Sequence, residues 1–327
     1  MRNVIVAPSQ SLFYYDEGLK LLPINLAIDV RRPHAQAFVS HAHADHIARH
    51  GYTLCTAETA AFLSLRLGPR PTREMSYGKT IDWGGVSLTV YPAGHCLGSA
   101  MLLVEHQGQR LLYTGDFKLR PALTTPAAQP VKADILIMET TYGEPRYRLP
   151  PEDEVIEDLA CCIRDTWDRG RCPVIMAYAL GKAQEVSRRL SEAGIGVVQH
   201  SSVATISRIY EQFGVSVGNY RLYDGRLEHG EVLITSPQQR WDCPTESVVR
   251  IAVTGWALDP SAKYRLGADV VFPLSDHADY EELFQMVQTV QPQLVYCTHG
   301  PATFVRDLME RGWGARLLGR PTQKLLF

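Results

Sequence analysis

The stretch His41-Ala42-His43-Ala44-Asp45-His46 decides the reading of this chain. It follows directly on Ala37-Phe38-Val39-Ser40, an apolar run of the length and bulk of a buried strand. Three imidazoles and a carboxylate within six residues at a strand end can converge on one or two divalent ions, because imidazole suits zinc and carboxylate suits harder ions such as manganese. Three more candidates follow downstream: His95 in Ala-Gly-His-Cys-Leu-Gly-Ser, Asp116 in Tyr-Thr-Gly-Asp-Phe and His299 in Tyr-Cys-Thr-His-Gly. Each comes after an apolar run and beside a glycine, where the backbone can turn and aim a ligand at the mouth of a sheet.

Outward from this stretch, short apolar runs bounded by Gly, Pro and Asp predict strands at Asn25–Val30, Val86–Tyr91, Ala100–Glu105, Arg110–Thr114 and Ile135–Met138. Thr56–Arg66 has helical apolar spacing, a threonine start and Glu58 in its first turn. From Pro150 the rhythm changes. Pro151–Arg169 reads as a helix with Glu152, Asp153 and Glu154 at its positive end and Gly170 as its stop. Strands at Pro173–Tyr178, Val197–His200, Val232–Thr235 and Val248–Thr254 alternate with helices at Lys182–Ala193 and Ala204–Gln212, the pattern of a mostly parallel α/β lobe. Asp269–Pro273, Tyr280–Val290 and Leu294–Cys297 then read strand, helix, strand.

The 327 residues, 45% hydrophobic and 21% charged, have the balance of a globular chain that buries a real core. No apolar run approaches the roughly 18 residues of a membrane span, and the opening Met-Arg-Asn-Val-Ile-Val-Ala-Pro is too short in its apolar part for a signal peptide. A cytoplasmic protein with no membrane partner is expected. The seven cysteines, Cys55, Cys96, Cys161, Cys162, Cys172, Cys243 and Cys297, form no C-x-x-C pair and read as buried thiols rather than a disulfide framework or a cysteine zinc site. A net charge of −2 gives no global sign of a nucleic-acid binder, so any phosphate track must be local. Arginine outnumbers lysine, 26 to 7, and is the better fork for phosphate oxygens.

The ordered set H-x-H-x-D-H, then a His, an Asp and a late His, resembles the metallo-β-lactamase fold over essentially the whole chain. The resemblance implies an αββα sandwich in which His41, His43 and His95 hold one divalent ion, Asp45, His46 and His299 a second, and Asp116 bridges the two; the ions would be Zn and/or Mn. It also gives Asp29 the role of orienting the ligand loop. The 182 residues between Asp116 and His299 leave room for an inserted lobe. Their segments Met138-Glu139-Thr-Thr-Tyr-Gly143, Ala177-Tyr-Ala-Leu-Gly-Lys182-Ala-Gln-Glu185 and Pro273-Leu-Ser275-Asp-His277-Ala-Asp279 resemble the β-CASP nucleases. The implied division is 1–146 for the first part of the metallo-β-lactamase lobe, 147–262 for the β-CASP α/β cap and 263–327 for the return segment.

Displacing an alkoxide from a phosphodiester needs a proton for the leaving oxygen, and an imidazole is the suited donor near neutral pH. The resemblance makes His277 that general acid and Glu139 the carboxylate that orients it, with Asp45 also in the catalytic set. Lys182, Ser275, Ser99 and Thr141 are candidate phosphate contacts, and Tyr142 and Tyr178 candidate base-stacking rings. Retention of His299 resembles the RNA-processing members of the branch. His-Cys-Leu-Gly-Ser, Thr-Gly-Trp-Ala-Leu and Leu-Ser-Asp-His-Ala-Asp resemble more closely the bacterial ligase-associated DNA exonucleases. The expected function is therefore a two-metal DNA exonuclease directed at the 5′ end, in DNA repair beside an ATP-dependent DNA ligase and a helicase. An RNA-processing nuclease and a non-catalytic binding scaffold are the alternatives.

Overall fold

The computed structural model describes residues 12–16, 18–237, 239, 241 and 248–319; the opening residues discussed above and Cys243 lie outside the described residues. The chain divides into two compact units, the second made of Ala122–Thr125 and Pro145–Asp279 and the first of the rest.

The first unit begins with β1 (Phe13–Tyr15), β2 (Leu19–Leu21), β3 (Leu26–Ile28), β4 (Gln36–Phe38), β5 (Tyr52–Cys55), α1 (Ala57–Leu67) and β6 (Thr72–Glu74). These six strands form one sheet in sequence order, antiparallel up to β3 and parallel beyond it. The predicted strand Asn25–Val30 is cut to three residues because Asn25 and Asp29 take left-handed φ angles of 47° and 46°, which end a strand at both sides. Next come β7 (Thr80–Trp83), β8 (Val86–Pro92), β9 (Ala100–His106) and β10 (Gln109–Tyr113), an antiparallel meander, and then β11 (Ile135–Glu139), parallel to β10.

One core joins the two sheets, with Leu21, Leu26, Phe38 and Leu54 on one face meeting Leu88, Leu102, Val104 and Leu111 on the other. Leu88 and Val90, and likewise Leu102 and Val104, sit two residues apart because a strand returns to the same face every second residue. Burying a side chain such as Phe38 stabilises the fold by about 1.5–3 kcal/mol. α1 covers the outer side of the first sheet, where Leu63, Ala60 and Leu67 pack on Val39 and Cys55. It starts where Thr56 accepts a hydrogen bond from the Thr59 amide, with Glu58 in its first turn and Arg66 in its last, each complementing the helix dipole.

The second unit alternates as expected: α2 (Glu152–Asp168), β12 (Cys172–Met176), α3 (Lys182–Glu192), β13 (Gly196–Gln199), α4 (Ser201–Gln212), β14 (Tyr220–Leu222), β15 (Glu231–Thr235), β16 (Val248–Val253), a 3-10 turn at Gly255–Leu258, α5 (Ala262–Arg265) and β17 (Val270–Phe272). Among the described residues its strands pair in parallel, in the order β14-β13-β15-β12-β16-β17. Both faces are covered, as parallel sheets require. Ile175 of β12 and Ala177 just after it join the helix-packed core with Leu159, Val186 and Leu190, while Val174 and Met176 bury on the opposite face.

The chain then re-enters the first unit through α6 (Tyr280–Val290), β18 (Leu294–Thr298), α7 (Ala302–Glu310) and β19 (Ala315–Leu317). β18 pairs in parallel with β11, and β19 with β18, giving a seven-stranded sheet β19-β18-β11-β10-β9-β8-β7. Phe284 of α6 and Phe304 of α7 meet with ring centroids 4.8 Å apart. The first unit is thus a two-sheet sandwich with helical cover, interrupted in sequence by an α/β unit. The expectation of buried thiols fails for Cys161, which is exposed on α2; Cys162 and Cys172 are half-buried, and the six described cysteines are thiols, not disulfides.

Candidate metal centre

Asp29 organises the centre. The left-handed turn that ends β3 aims its carboxylate at the next strand end, where Oδ1 accepts from the Ser40 amide at 2.8 Å and Oδ2 from the Ser40 hydroxyl at 2.5 Å, the Tyr113 hydroxyl at 2.8 Å and His46 Nδ1 at 2.9 Å. The Ser40 hydroxyl proton is committed to Asp29, so its 3.0 Å contact with His41 Nδ1 has the imidazole as donor. The network therefore assigns the Nδ1–H tautomer to His41 and puts the lone pair on Nε2. His46 likewise donates from Nδ1 and turns Nε2 inward.

His41 Nε2 and His95 Nε2 lie 3.1 and 3.0 Å from His43 Nδ1, and the four residues His41, His43, His95 and Asp116 form one group of convergent ligand atoms. Neighbouring nitrogens of a tetrahedral zinc site, at Zn–N distances near 2.0–2.1 Å, stand about 3.3 Å apart. Three ring nitrogens turned on one another at this spacing fit a cation among them better than any set of mutual hydrogen bonds. Asp116 Oδ2 lies between two imidazoles, 3.6 Å from His41 Nε2 and 3.2 Å from His46 Nε2. Asp45 Oδ2 is 3.7 Å from His46 Nε2, and the His299 ring stands 5.9 Å from that of His46, nearly perpendicular. The structure thus brings together all seven residues expected to ligate.

Burial, reinforced by the neighbouring His46 and His95, holds the His41 imidazole well below its ordinary pKa, in the neutral form a metal needs. For His46 burial pulls the same way, but the carboxylates of Asp116 and Asp29 outweigh it and hold the ring well above its ordinary value. The pocket is therefore built for positive charge at this point.

The ligand loops are braced from outside. Gly98 of the His95 loop accepts hydrogen bonds from the Thr56 and Thr59 hydroxyls at the start of α1, at 2.7 and 3.0 Å. Ser99 Oγ accepts from the His95 and Cys96 amides, each at 3.2 Å, so this candidate phosphate contact is engaged in shaping the loop. Gly115, next to Asp116, has φ 58°, and a Cβ there would come within 2.6 Å of Ser40 Oγ. His299 itself has φ 55°, and a Cβ on the following Gly300 would stand 2.0 Å from the Thr140 carbonyl oxygen. Left-handed non-glycine residues at Asp29 and His299 are backbone strain held at the centre.

Glu139 is buried at the end of β11, with Oε1 accepting from the Phe117 amide at 3.0 Å and Oε2 from the Thr141 hydroxyl. Thr141 thus contacts Glu139, and Tyr142 beside it is fully buried. In the second unit His277 is buried, its amide donating to Ser275 Oγ at 2.9 Å and its carbonyl accepting from that hydroxyl at 3.1 Å. Lys182 is buried at the start of α3, paired with Asp276 at 3.0 Å and lying 5.2 Å over the Tyr178 ring. Sequence reading missed Ser40 and Tyr113, the hydroxyls that fix Asp29, and Glu185. The Glu185 carboxylate accepts from the Leu123 and Thr124 amides, the Thr124 hydroxyl and Arg189. A hydroxyl or acid on a strand end or helix carries no spacing signal that would single these out.

Comparison with known proteins bears on what this centre does. Residues 266–318 match the family model described as "Zn-dependent metallo-hydrolase RNA specificity domain". A "Probable DNA ligase" of Opitutus terrae is 40% identical over 316 residues, covering 94% of this chain and 31% of that protein. The "DNA cross-link repair protein SNM1" of Arabidopsis thaliana is 25% identical over 296 residues, 80% of this chain and 60% of that protein. An "Endoribonuclease YSH1" of Yarrowia lipolytica is 38% identical over 120 residues, 36% of this chain and 14% of that protein. The chain therefore spans less than two thirds of each of these relatives. A crystal structure of a protein of unknown function from Enterococcus faecalis V583 shares the fold, with a TM-score of 0.59 at 17% identity over 88% of this chain and 79% of that one. No helix among the described residues is long and apolar enough to cross a membrane.

Proposed function

Because this chain belongs to the β-CASP branch of the metallo-β-lactamase fold, we propose that it is a metal-dependent phosphodiesterase acting on DNA, an exonuclease directed at the 5′ end. The observation that carries the chemistry is the convergence of His41, His43, His95 and Asp116, with His46, Asp45 and His299 adjoining. Two divalent ions held there, Zn and/or Mn, supply Lewis-acid polarisation of the phosphoryl group and a nucleophile at neutral pH. The protein's own part is to hold the ligand imidazoles in fixed orientations, which Asp29 and Ser40 do for His46 and His41, and to deliver a proton to the departing oxygen, the role of His277. Glu139 and Asp45 complete the catalytic set, and Lys182, Ser275, Ser99 and Thr141 are its candidate phosphate contacts. In this reading the cap lobe, expected at 147–262, is the second unit, which runs on to Asp279, and the return segment of the metallo-β-lactamase lobe, expected from 263, starts at Tyr280.

DNA is favoured by the length of the likeness to a protein named as a ligase, and by the cross-link repair relative. Since the ligase relative has more than half its length outside the match, a working link to an ATP-dependent ligase, and with it a helicase, belongs to the same proposal. A second reading, an RNA-processing nuclease, is favoured by the wording of the matching family model and by the endoribonuclease relatives. Incubating end-labelled single- and double-stranded DNA and matched RNA with the zinc- or manganese-loaded protein decides between them. Faster cleavage of DNA, released as mononucleotides from the 5′ end, is expected; faster cleavage of RNA overturns the proposal in favour of the second reading.

A further inference from the structure

Beside the centre, the first unit carries an open cleft of about 450 Å3 whose lining includes Asp45, His299, Tyr113, Arg31 and Arg32. Its size lies within the roughly 300–1,000 Å3 of small-molecule sites. Both arginines are exposed residues of the cleft lining. Their placement follows from Asp29. The left-handed turn that sends its carboxylate to His46 also redirects the chain, and the second and third residues beyond it are the arginine pair. Asp29 also lines the cleft, but its oxygens are engaged by Ser40, Tyr113 and His46. Two arginines therefore line a cleft whose walls also include two of the proposed ligands, in a molecule whose net charge gives no general attraction for a polyanion.

We propose that this cleft is the phosphate track of the site: Arg31 and Arg32 each hold a backbone phosphate of a single strand next to the scissile diester. The inference rests on the phosphodiesterase reading of the centre and deepens it. It names these two arginines as positioning residues that grip the diester chain and take no part in the bond breaking. The consequence is a separation of effects. A substrate with neighbouring phosphates needs the pair, and a lone diester does not.

The test compares the zinc-loaded wild type with Arg31→Ala/Arg32→Ala, using a fluorescein-labelled single-stranded oligonucleotide and bis(p-nitrophenyl) phosphate. Anisotropy titrations between about 50 and 200 mM salt should show the slope of log K against log salt flatter by about 1.4 in the variant, two phosphates at about 0.7 each. KM for the oligonucleotide should rise at least about tenfold with kcat within about twofold, and hydrolysis of the small diester should be unchanged. Arg226→Ala, which removes an exposed charge in the second unit, should leave the slope alone. An unchanged slope, a wild type that does not bind the strand, or small-diester hydrolysis falling in step with the oligonucleotide overturns the track. A wild type that binds the strand but hydrolyses neither substrate sinks the phosphodiesterase reading, while the slope still decides the role of the arginines.

Discussion

Asp29 Oδ2 accepts a hydrogen bond from His46 Nδ1 at 2.9 Å, and the same oxygen takes the hydroxyls of Ser40 and Tyr113. One carboxylate thus sets the orientation of His46 directly and the tautomer of His41 through Ser40. Asn at this position keeps the shape but offers one acceptor oxygen instead of two, and forces a donor against the hydroxyls or the ring. Asp29→Asn is expected to weaken metal binding by about 10–100-fold while the protein stays folded. Titration of the metal-free protein with zinc, read by calorimetry, checks it; affinity within threefold of wild type would show that the carboxylate does not govern the ligands.

Convergent imidazoles that bind a cation only in the folded state must lend their binding energy to folding. At zinc a hundredfold above its dissociation constant the stabilisation should be about 2.7 kcal/mol, visible as a rise in Tm that chelator reverses. His95→Ala removes one of the three clustered ring nitrogens and should abolish most of that rise. Equal zinc-dependent shifts in the two proteins would place the metal elsewhere.

A proton donor differs from a ligand in what its loss leaves behind. His277→Ala should retain bound metal and lose turnover by about 10²–10⁴-fold, the range for general acid catalysis. Inductively coupled plasma analysis beside the rate measurement separates the cases, since metal loss in this variant would assign His277 to the ligand set.

Glu185 is a buried carboxylate with two amides, a hydroxyl and the Arg189 guanidinium as donors. Glu185→Ala leaves those amides unsatisfied and Arg189 without its neighbour on α3, at a cost of about 3 kcal/mol. Urea denaturation should show the midpoint falling with little change in slope; a loss under about 1 kcal/mol would mean that water replaces the carboxylate at no penalty.

The sequence made the long, doubly buried strands legible, because Val86–Tyr91, Ala100–Glu105 and Ile135–Met138 carry enough apolar residues to show their period. It hid the short ones. β6 and β7 are largely exposed and lack an apolar run, and β1, β2, β14 and β19 are three residues each. α7 was also missed, since only Phe304, Val305 and Leu308 of its nine residues are buried. α4 starts at Ser201 rather than Ala204 because His200 caps it, its side chain accepting from the Ser202 amide, a role usually held by Ser, Thr, Asp or Asn. In the centre, the crowding of ligand types in His41–His46 was readable, and so was the need for distant partners. What one sequence cannot carry is pairing across the chain: Lys182 looked like an open helix start until Asp276, 94 positions later, proved to lie 3.0 Å from it.

The parallel pairing of β11 with β18 sets the order in which this molecule can be completed during synthesis. Ile135 waits for Leu294, so a growing chain must carry one bare edge of its main sheet while the whole intervening α/β unit is made, about 10–30 s at usual elongation rates. His299 sits one residue beyond β18 and therefore emerges after every other proposed ligand. A ribosome-bound fragment holds most of the proposed ligands yet lacks the strand that places the last, so the complete ligand set should form only after β18 has been made.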